Sequence, residues 1–464
     1  MKKLNIIYKY VKSVINRICI TSILCAFLFI SCESFLEIDA PQSEIVGDVV
    51  FEDTSTVTAA ISEIYAKLRE DSILDGFGIS YDMALYADEL DYYGNQVSNF
   101  YLNSILPSSF ETSNYWNSGF NLIYQANNII EGIENSNSLS QEFKNQIIGE
   151  ALFLRACIHF YLTNLYGDIP YITTSDYRIN TMVSRTSTQE VYNKLIDDLI
   201  RAKDLLSDTY PTSEKIRANR GIVSALLARA YLYTEQWNNA IIESTSIINN
   251  TSTYSFENDL NKVFLKESSS AIWQLKPARD GENAGEADVF LIYGTPDKGA
   301  LTNNIINDFE SNDQRFIKWT GTATDGTSTW YFPFKYKVRI TNTTLEYSVV
   351  FRLAEQYLIR AEARTQEGNL LGAQQDLNLI RTRAGLPNTS AVTFNDLLEA
   401  ILKERRIELF TEFGHRFFDL KRLGKADAVL DAIKPGWDSR DLLLPVPETE
   451  LLVNPNLLPQ NFGY

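Results

Sequence analysis

Histidine is almost missing from this chain: His159 and His415 are the only two in 464 residues. A zinc site built from several histidines is thereby excluded, and any Ser-His or Cys-His machinery has to use one of those two. Cysteine is scarce as well. Three of the four, Cys19, Cys25 and Cys32, crowd near the start and leave Cys157 as the lone thiol of the remainder, so no disulfide framework can be assembled. Positive charge is in deficit, with 42 Lys and Arg against 59 Asp and Glu and a formal net charge of −17. That balance rules out nucleic-acid binding through a general basic field. Only one long apolar run exists, Ile18 to Ile30, and it is too short to span a bilayer comfortably. No nucleophile elbow, phosphate loop or HExxH pattern is present.

What is present begins with that apolar run. Lys2, Lys3, Lys9, Lys12 and Arg17 precede it, no acidic residue occurs before Glu33, and the run stops at Ser31-Cys32. A basic start, an apolar middle and a small residue at the cut describe a secretory signal. A small residue directly before Cys resembles bacterial lipoprotein signals, in which that Cys becomes the first mature residue and carries lipid. Cys32 is then the attachment point, although Phe29 stands where Leu is usual and Leu28 lies beside it. A retained membrane anchor and ordinary cleavage with an unmodified Cys32 are the competing readings. Removal of residues 1–31 shifts the formal charge from −17 to about −22. The mature part, 32–464, has the length of one large domain or two to three ordinary ones.

Helical periodicity dominates from about residue 52 to 250. In 141–166, Ile147, Ala151, Leu154, Ile158, Tyr161 and Leu165 recur at steps of four and three, along one face of a helix that Gly167-Asp168-Ile169-Pro170 then stops. A second helix starts after the cap signal Ser187-Thr188, with Val191, Leu195, Leu199 and Leu205 on or near one stripe. A weak internal repeat adds to this. Trp237, Ala240, Ser244 and Ile247 stand at offsets that Leu370, Ala373, Leu377 and Ile380 repeat, and both segments resemble tetratricopeptide units, where small residues let paired helices approach closely. Between the copies, 252–350 is rich in Thr, Asn, Asp, Gly and aromatics, with strand-like runs at 271–275, 330–337 and 348–351. A comparable aromatic, polar stretch at 75–105 reads as a long loop, and Pro445, Pro447, Pro455 and Pro459 make the C-terminus an extended strap. The fold class expected is mainly α: a helical-hairpin, tetratricopeptide-like scaffold with long irregular loops and a few short β-strands.

Several blocks follow one another in an order that resembles the SusD/RagB family of Bacteroidetes surface lipoproteins. They are CESFLE from Cys32, GEALFLRACIHFYLTNLYGDIPYI from Gly149, SRTSTQEVYNKLIDDLIRAKDLL, ANRGIVSALLARAYLY, FRLAEQYLIRAEA, ILKERRIELFTEFGHRFFDLKRLG and LLPVPETELLVNPNLLPQNFGY. The stretch 252–350 matches least well. The resemblance implies one SusD-like domain over 32–464 and a non-catalytic, lipid-anchored protein of the outer-membrane surface. Such a protein binds a nutrient, usually a glycan, and passes it to a SusC-like TonB-dependent transporter; no cofactor or metal site is expected, and whether a calcium ion supports the loops stays open. Within the blocks, Glu404, Glu408 and Glu412 at i, i+4 and i+8, near Arg405, Arg406, Arg416 and Arg422, read as an ion-pair lattice along a helix and its following turn. Glu150 and Arg155 invite the same interpretation.

Sugar recognition needs an aromatic ring against the C–H face of a pyranose and amides or carboxylates at its edge. Tyr92, Tyr93 and Tyr101 flanking Asn95 and Gln96 have that composition, as do Tyr293, Trp319, Trp330 and Tyr331 in the insertion. Arg315, Lys318, Lys335, Lys337 and Arg339 form a basic excess there, suited to an anionic ligand or to a Lys-protected strand edge. A peptide ligand fits the same resemblance. Two other classes of function compete: a glycoside hydrolase using Asp88, Glu89 or Asp91 as its carboxylate pair, and a scaffold that only holds a transporter complex together.

Overall fold

The computed structural model describes residues 8–10, 12, 50–70 and 73–464. Backbone contacts divide the chain into Met1–Val50 and Phe51–Tyr464. Of the first unit only residues 8–10, 12 and 50 are described, all of them helical; the signal cleavage point and Cys32 lie outside the described residues.

The body is mainly α. Its principal elements, in chain order, are α1 (Thr54–Glu70), α2 (Ile79–Tyr86), β1 (Leu90–Tyr92), α3 (Phe110–Asn135), α4 (Gln141–Tyr166), α5 (Thr188–Leu205), α6 (Arg220–Tyr233), α7 (Trp237–Asn249), β2 (Ala271–Leu275), β3 (Gly299–Leu301), β4 (Thr320–Thr324), β5 (Thr329–Pro333), β6 (Ser348–Arg352), α8 (Leu353–Gln366), α9 (Leu370–Arg383), α10 (Phe394–Glu408) and α11 (His415–Arg422). The centre is α4. Every residue from Ile147 to Tyr166 is buried, as a helix covered on all sides requires. Ser140 Oγ caps it by accepting from the Phe143 N–H, and Gly167, at φ +75°, ends it in a backbone region that side chains disfavour. Helices α3 and α5 pack along α4. Ser187 caps α5, whose buried stripe is Val191, Leu195, Leu199 and Ala202.

The expected repeat is realised in space. The hairpins α6-α7 and α8-α9 stack through α7 against α8, although 250–352 intervene in sequence. Ala240 and Ala373 are fully buried, as are Ala225, Ala228 and Ala361, which is how small residues let these backbones approach. The two strands that border the insertion, β2 and β6, pair antiparallel with Leu275 opposite Ser348 and a bulge near Trp273. All ten of their residues are buried.

Two expectations are corrected. The stretch 75–105 is not one long loop: α2 occupies its first half, two turns with every residue but Asp82 buried, and β1 follows it. The C-terminal strap contains a short helix, Glu448–Val453, before Asn461 Nδ2 ties the tail to the carbonyls of Tyr166 and Leu444.

The glutamate lattice exists with other partners. Glu408 pairs with Arg315, Arg352 and Arg383, Glu404 with Arg315 and Arg381, and Glu412 with Arg352 and Lys335. Arg405 instead pairs with Asp419, Arg406 with Asp88 and Asp308, and Arg422 with Asp419 and Glu362. Steps of one or two along a helix point to different faces. Two of the five basic residues of the insertion, Arg315 and Lys335, are likewise taken up, buried in these pairs. Arg155 forks onto Asp198 and Arg217 onto Glu150.

Candidate ligand-binding site

The residues just after α2 are fixed by charge. Asp88 is buried and both its oxygens are held, Oδ1 by Arg416 Nε at 2.7 Å and Oδ2 by Arg406 Nη2 at 2.6 Å and Arg416 Nη2 at 2.9 Å. Thr302 locks the same segment from the insertion, its N–H donating to the Glu89 carbonyl and its hydroxyl to that of Asp88. Strand β1 then pairs antiparallel with β3, setting Asp91 opposite Ala300 and Tyr92 opposite Gly299. The Tyr93 N–H extends the ladder onto the Lys298 carbonyl.

Successive side chains on a strand face opposite ways, and Tyr92 and Tyr93 find different partners. The Tyr92 ring lies 6.2 Å from Tyr101, tilted by 35°. Gly94 permits this, since a Cβ there would come within 2.1 Å of the Tyr92 hydroxyl oxygen. Tyr93, 40% exposed, meets Trp330 edge-on at 6.3 Å. Trp330 sits on β5, opposite Ala323 in the β4-β5 hairpin, which packs beside β3. Residues distant in sequence thus supply one pair of accessible rings.

Next to Tyr101 opens a cleft of about 260 Å³, lined in part by Asp91, Asn303, Asn304 and Lys434. Lys434 Nζ lies 4.1 Å above the Tyr101 ring centre and donates to the Leu85 carbonyl. Burial pushes this ammonium down to about 8, Asp91 and Asp88 opposing the shift. Burial raises the Asp91 carboxyl. Rings, two amides, a carboxylate and an ammonium therefore meet over a short distance, the set that a sugar ring and its hydroxyls call for.

The other expected site residues fall in different places. Asn95 and Gln96 are exposed beside the tyrosines. Tyr331 is half-buried against Phe316 at 5.6 Å. Tyr293 is 75% exposed and its ring lies 5.1 Å from the Arg339 guanidinium. Trp319 is a correction. It is wholly buried, its indole N–H donates to the Leu260 carbonyl at 2.9 Å, and Lys335, Arg352 and Arg383 surround its ring, so no face is left for a ligand. Asn303, Asn304 and Lys434 were missed by sequence reasoning. Only the register of β1 on β3 and the fold of 433–436 bring them to the tyrosines, and no local pattern signals either.

The carboxylates considered for hydrolysis are not equivalent. Asp88 is committed to two arginines, and Glu89 is buried with Oε2 accepting from the Thr411 N–H at 3.2 Å. Burial first, then Asp88, pushes the Glu89 carboxyl up to about 7 from 4.5. The folded state therefore holds this proton more tightly than the unfolded one, so the stability contribution falls as pH rises from about 4.5 to 7. Glu89→Gln is expected to remove this dependence: relative to wild type it gains stability, up to about 3 kcal/mol, on moving from acid to neutral pH. Denaturant melts of both proteins across that range test it, and parallel pH profiles would reject the assignment.

The chain matches two family models. Residues 51–232 match one described as starch-binding, associating with the outer membrane, and residues 244–442 match that of the SusD family. Two SusD-like proteins of Formosa agariphila are 26% and 27% identical, covering 94% and 96% of this chain and 97% and 99% of their own lengths. Among solved structures, a SusD superfamily protein from Bacteroides vulgatus superposes with a TM-score of 0.77 at 23% identity, over 89% of this chain and 100% of that one. A laminarin-binding SusD-like protein does so with a TM-score of 0.73 at 23% identity, over 88% and 99%. The surface glycan-binding protein A from Bacteroides fluxus gives 0.73 at 22% identity, also over 88% and 99%. Two models of one family matched in sequence along most of the body, with the same fold in these structures, establish that this chain belongs to the SusD/RagB family.

Proposed function

We propose that this protein is a non-catalytic, lipid-anchored receptor of the outer-membrane surface that binds a glycan and delivers it to a SusC-like TonB-dependent transporter. The single observation that carries the reading is the meeting of Tyr93 with Trp330 beside the Tyr92-Tyr101 pair and its amide-lined cleft. An exposed Tyr93 on the β1-β3 ladder and a half-buried Trp330 on the β4-β5 hairpin are positioned by paired strands and offer stacking surface at little entropic cost. The names of two structural relatives, one laminarin-binding and one a surface glycan-binding protein, agree with a glycan as ligand. Binding without turnover is favoured by the commitment of Asp88 to Arg406 and Arg416, which takes it out of any acid-base pair. Screening the purified protein against a glycan array tests the reading; an array on which nothing binds, with the protein folded, rejects it.

The anchor is tested separately. Among the described residues no helix is long and apolar enough to cross a membrane, and attachment is assigned to lipid on Cys32. Cys32→Ala is expected to move the protein from the membrane pellet to the soluble fraction. Retention in the pellet after a salt wash would show that something other than acylation holds it.

A further inference from the structure

A second cleft, of about 360 Å³, is formed by α3, the 170–183 segment and the C-terminal strap. Its floor is Trp116 and Phe120 on α3, ring centres 4.8 Å apart, with Leu457 from the C-terminal strap. Its walls carry Tyr124, 46% exposed, and Tyr177, 72% exposed. Glu450 lines it from the short helix Glu448–Val453 beside the Trp116 indole, which favours its charged form, while burial, the larger effect, raises its carboxyl. Asn117 lies at the rim, one residue beyond Trp116. The cleft shares no lining residue with the one beside Tyr101.

We propose that this cleft is a second carbohydrate site, in which Tyr124 and Tyr177 take pyranose faces and Glu450 with Asn117 takes ring hydroxyls. The proposal rests on the glycan-binding reading above. The volume falls within the range of small-molecule sites, and two accessible rings over an apolar floor match the C–H face of a sugar. Glu450 selects between occupants. An apolar protein segment laid over Tyr177 and Val453 would strip water from a half-buried carboxylate and return no donor, whereas sugar hydroxyls supply donors to its remaining lone pairs.

The experiment is a calorimetric titration of the detergent-solubilised full chain with laminarin-, cello-, malto-, xylo- and manno-oligosaccharides. Expected for the oligosaccharide that binds are two sites per chain. Trp330→Ala weakens the first about tenfold or more and leaves the second unchanged, and the double variant Tyr124→Ala with Tyr177→Ala does the reverse. Glu450→Gln, which keeps the side chain's size and one acceptor oxygen, is expected to weaken the second site about tenfold with the melting temperature unchanged. One site in wild type, weakened by Trp330→Ala and untouched by the tyrosine pair, overturns this proposal and leaves the glycan receptor standing. Failure of every oligosaccharide to bind the folded wild type overturns both.

Discussion

Glu408→Ala is expected to lower the free energy of unfolding by about 3–5 kcal/mol, the range for removing one partner from a buried charge network. Glu408 is fully buried and accepts from Arg315 at 3.1 Å, from Arg352 at 2.5 Å and from Arg383. Burial alone raises its carboxyl. The Arg383, Arg352 and Arg315 guanidiniums overcome that and hold it well below the usual carboxylate range. Without the carboxylate, three desolvated guanidiniums face one another with only Glu404, Glu412 and Asp313 to share. The candidate site is tied to this lattice. Lys335, just beyond the end of β5, donates to the carbonyls of Glu408 and Phe410 and pairs with Glu412, so the lattice also pins the hairpin that carries Trp330. Urea unfolding monitored by circular dichroism measures the effect. As a control, Glu63→Ala breaks an exposed i, i+4 pair with Lys67 and is expected to cost no more than about 0.5 kcal/mol. Equal losses for the two variants would refute the network argument. Because the depressed carboxyl stabilises the fold above its unfolded pKa, the gap between wild type and Glu408→Ala should close as pH falls below about 4.5.

Trp330→Ala is expected to weaken glycan binding by about 1–3 kcal/mol, the loss typical of truncating an aromatic anchor. Tyr93→Ala should act in the same direction, and the double variant should lose less than the sum, because the two rings touch. Trp319→Ala makes the contrast. This ring is buried beneath Phe264 and Lys335, so its removal should cost about 3–5 kcal/mol of stability as a large core truncation. Affinity in the surviving folded fraction should be little changed. Calorimetry for affinity and denaturant melts for stability separate the outcomes. Wild-type affinity in both Trp330→Ala and Tyr93→Ala would remove the ring pair from the site.

The helices were legible because their signals are local. Ile147, Leu154, Ile158 and Leu165 announce α4, Gly167 ends it and Ser187 starts α5, each through spacing or cap chemistry that acts within a few residues. The runs read at 271–275 and 348–351 became the strands 271–275 and 348–352, and of the run at 330–337 only its start is strand, in Thr329–Pro333. Helix α2 was not legible, since its eight residues make barely two turns, too few for a period to register.

Residue order by itself determined the helical scaffold, the stacked hairpins with alanines at their contacts, and which aromatic residues were available to a ligand. The tertiary structure decided which of those rings stay at the surface. Trp319 and Trp330 are alike in type and close in sequence, yet one closes over Leu260 and the other meets Tyr93. It also decided that Glu408 faces Arg315, Arg352 and Arg383 and not its neighbours Arg405 and Arg406. The physical reason is common to both. Periodicity and capping are energies of neighbouring residues, whereas burial and ion pairing are energies of approach between segments far apart in the chain, fixed only once the topology has brought them together.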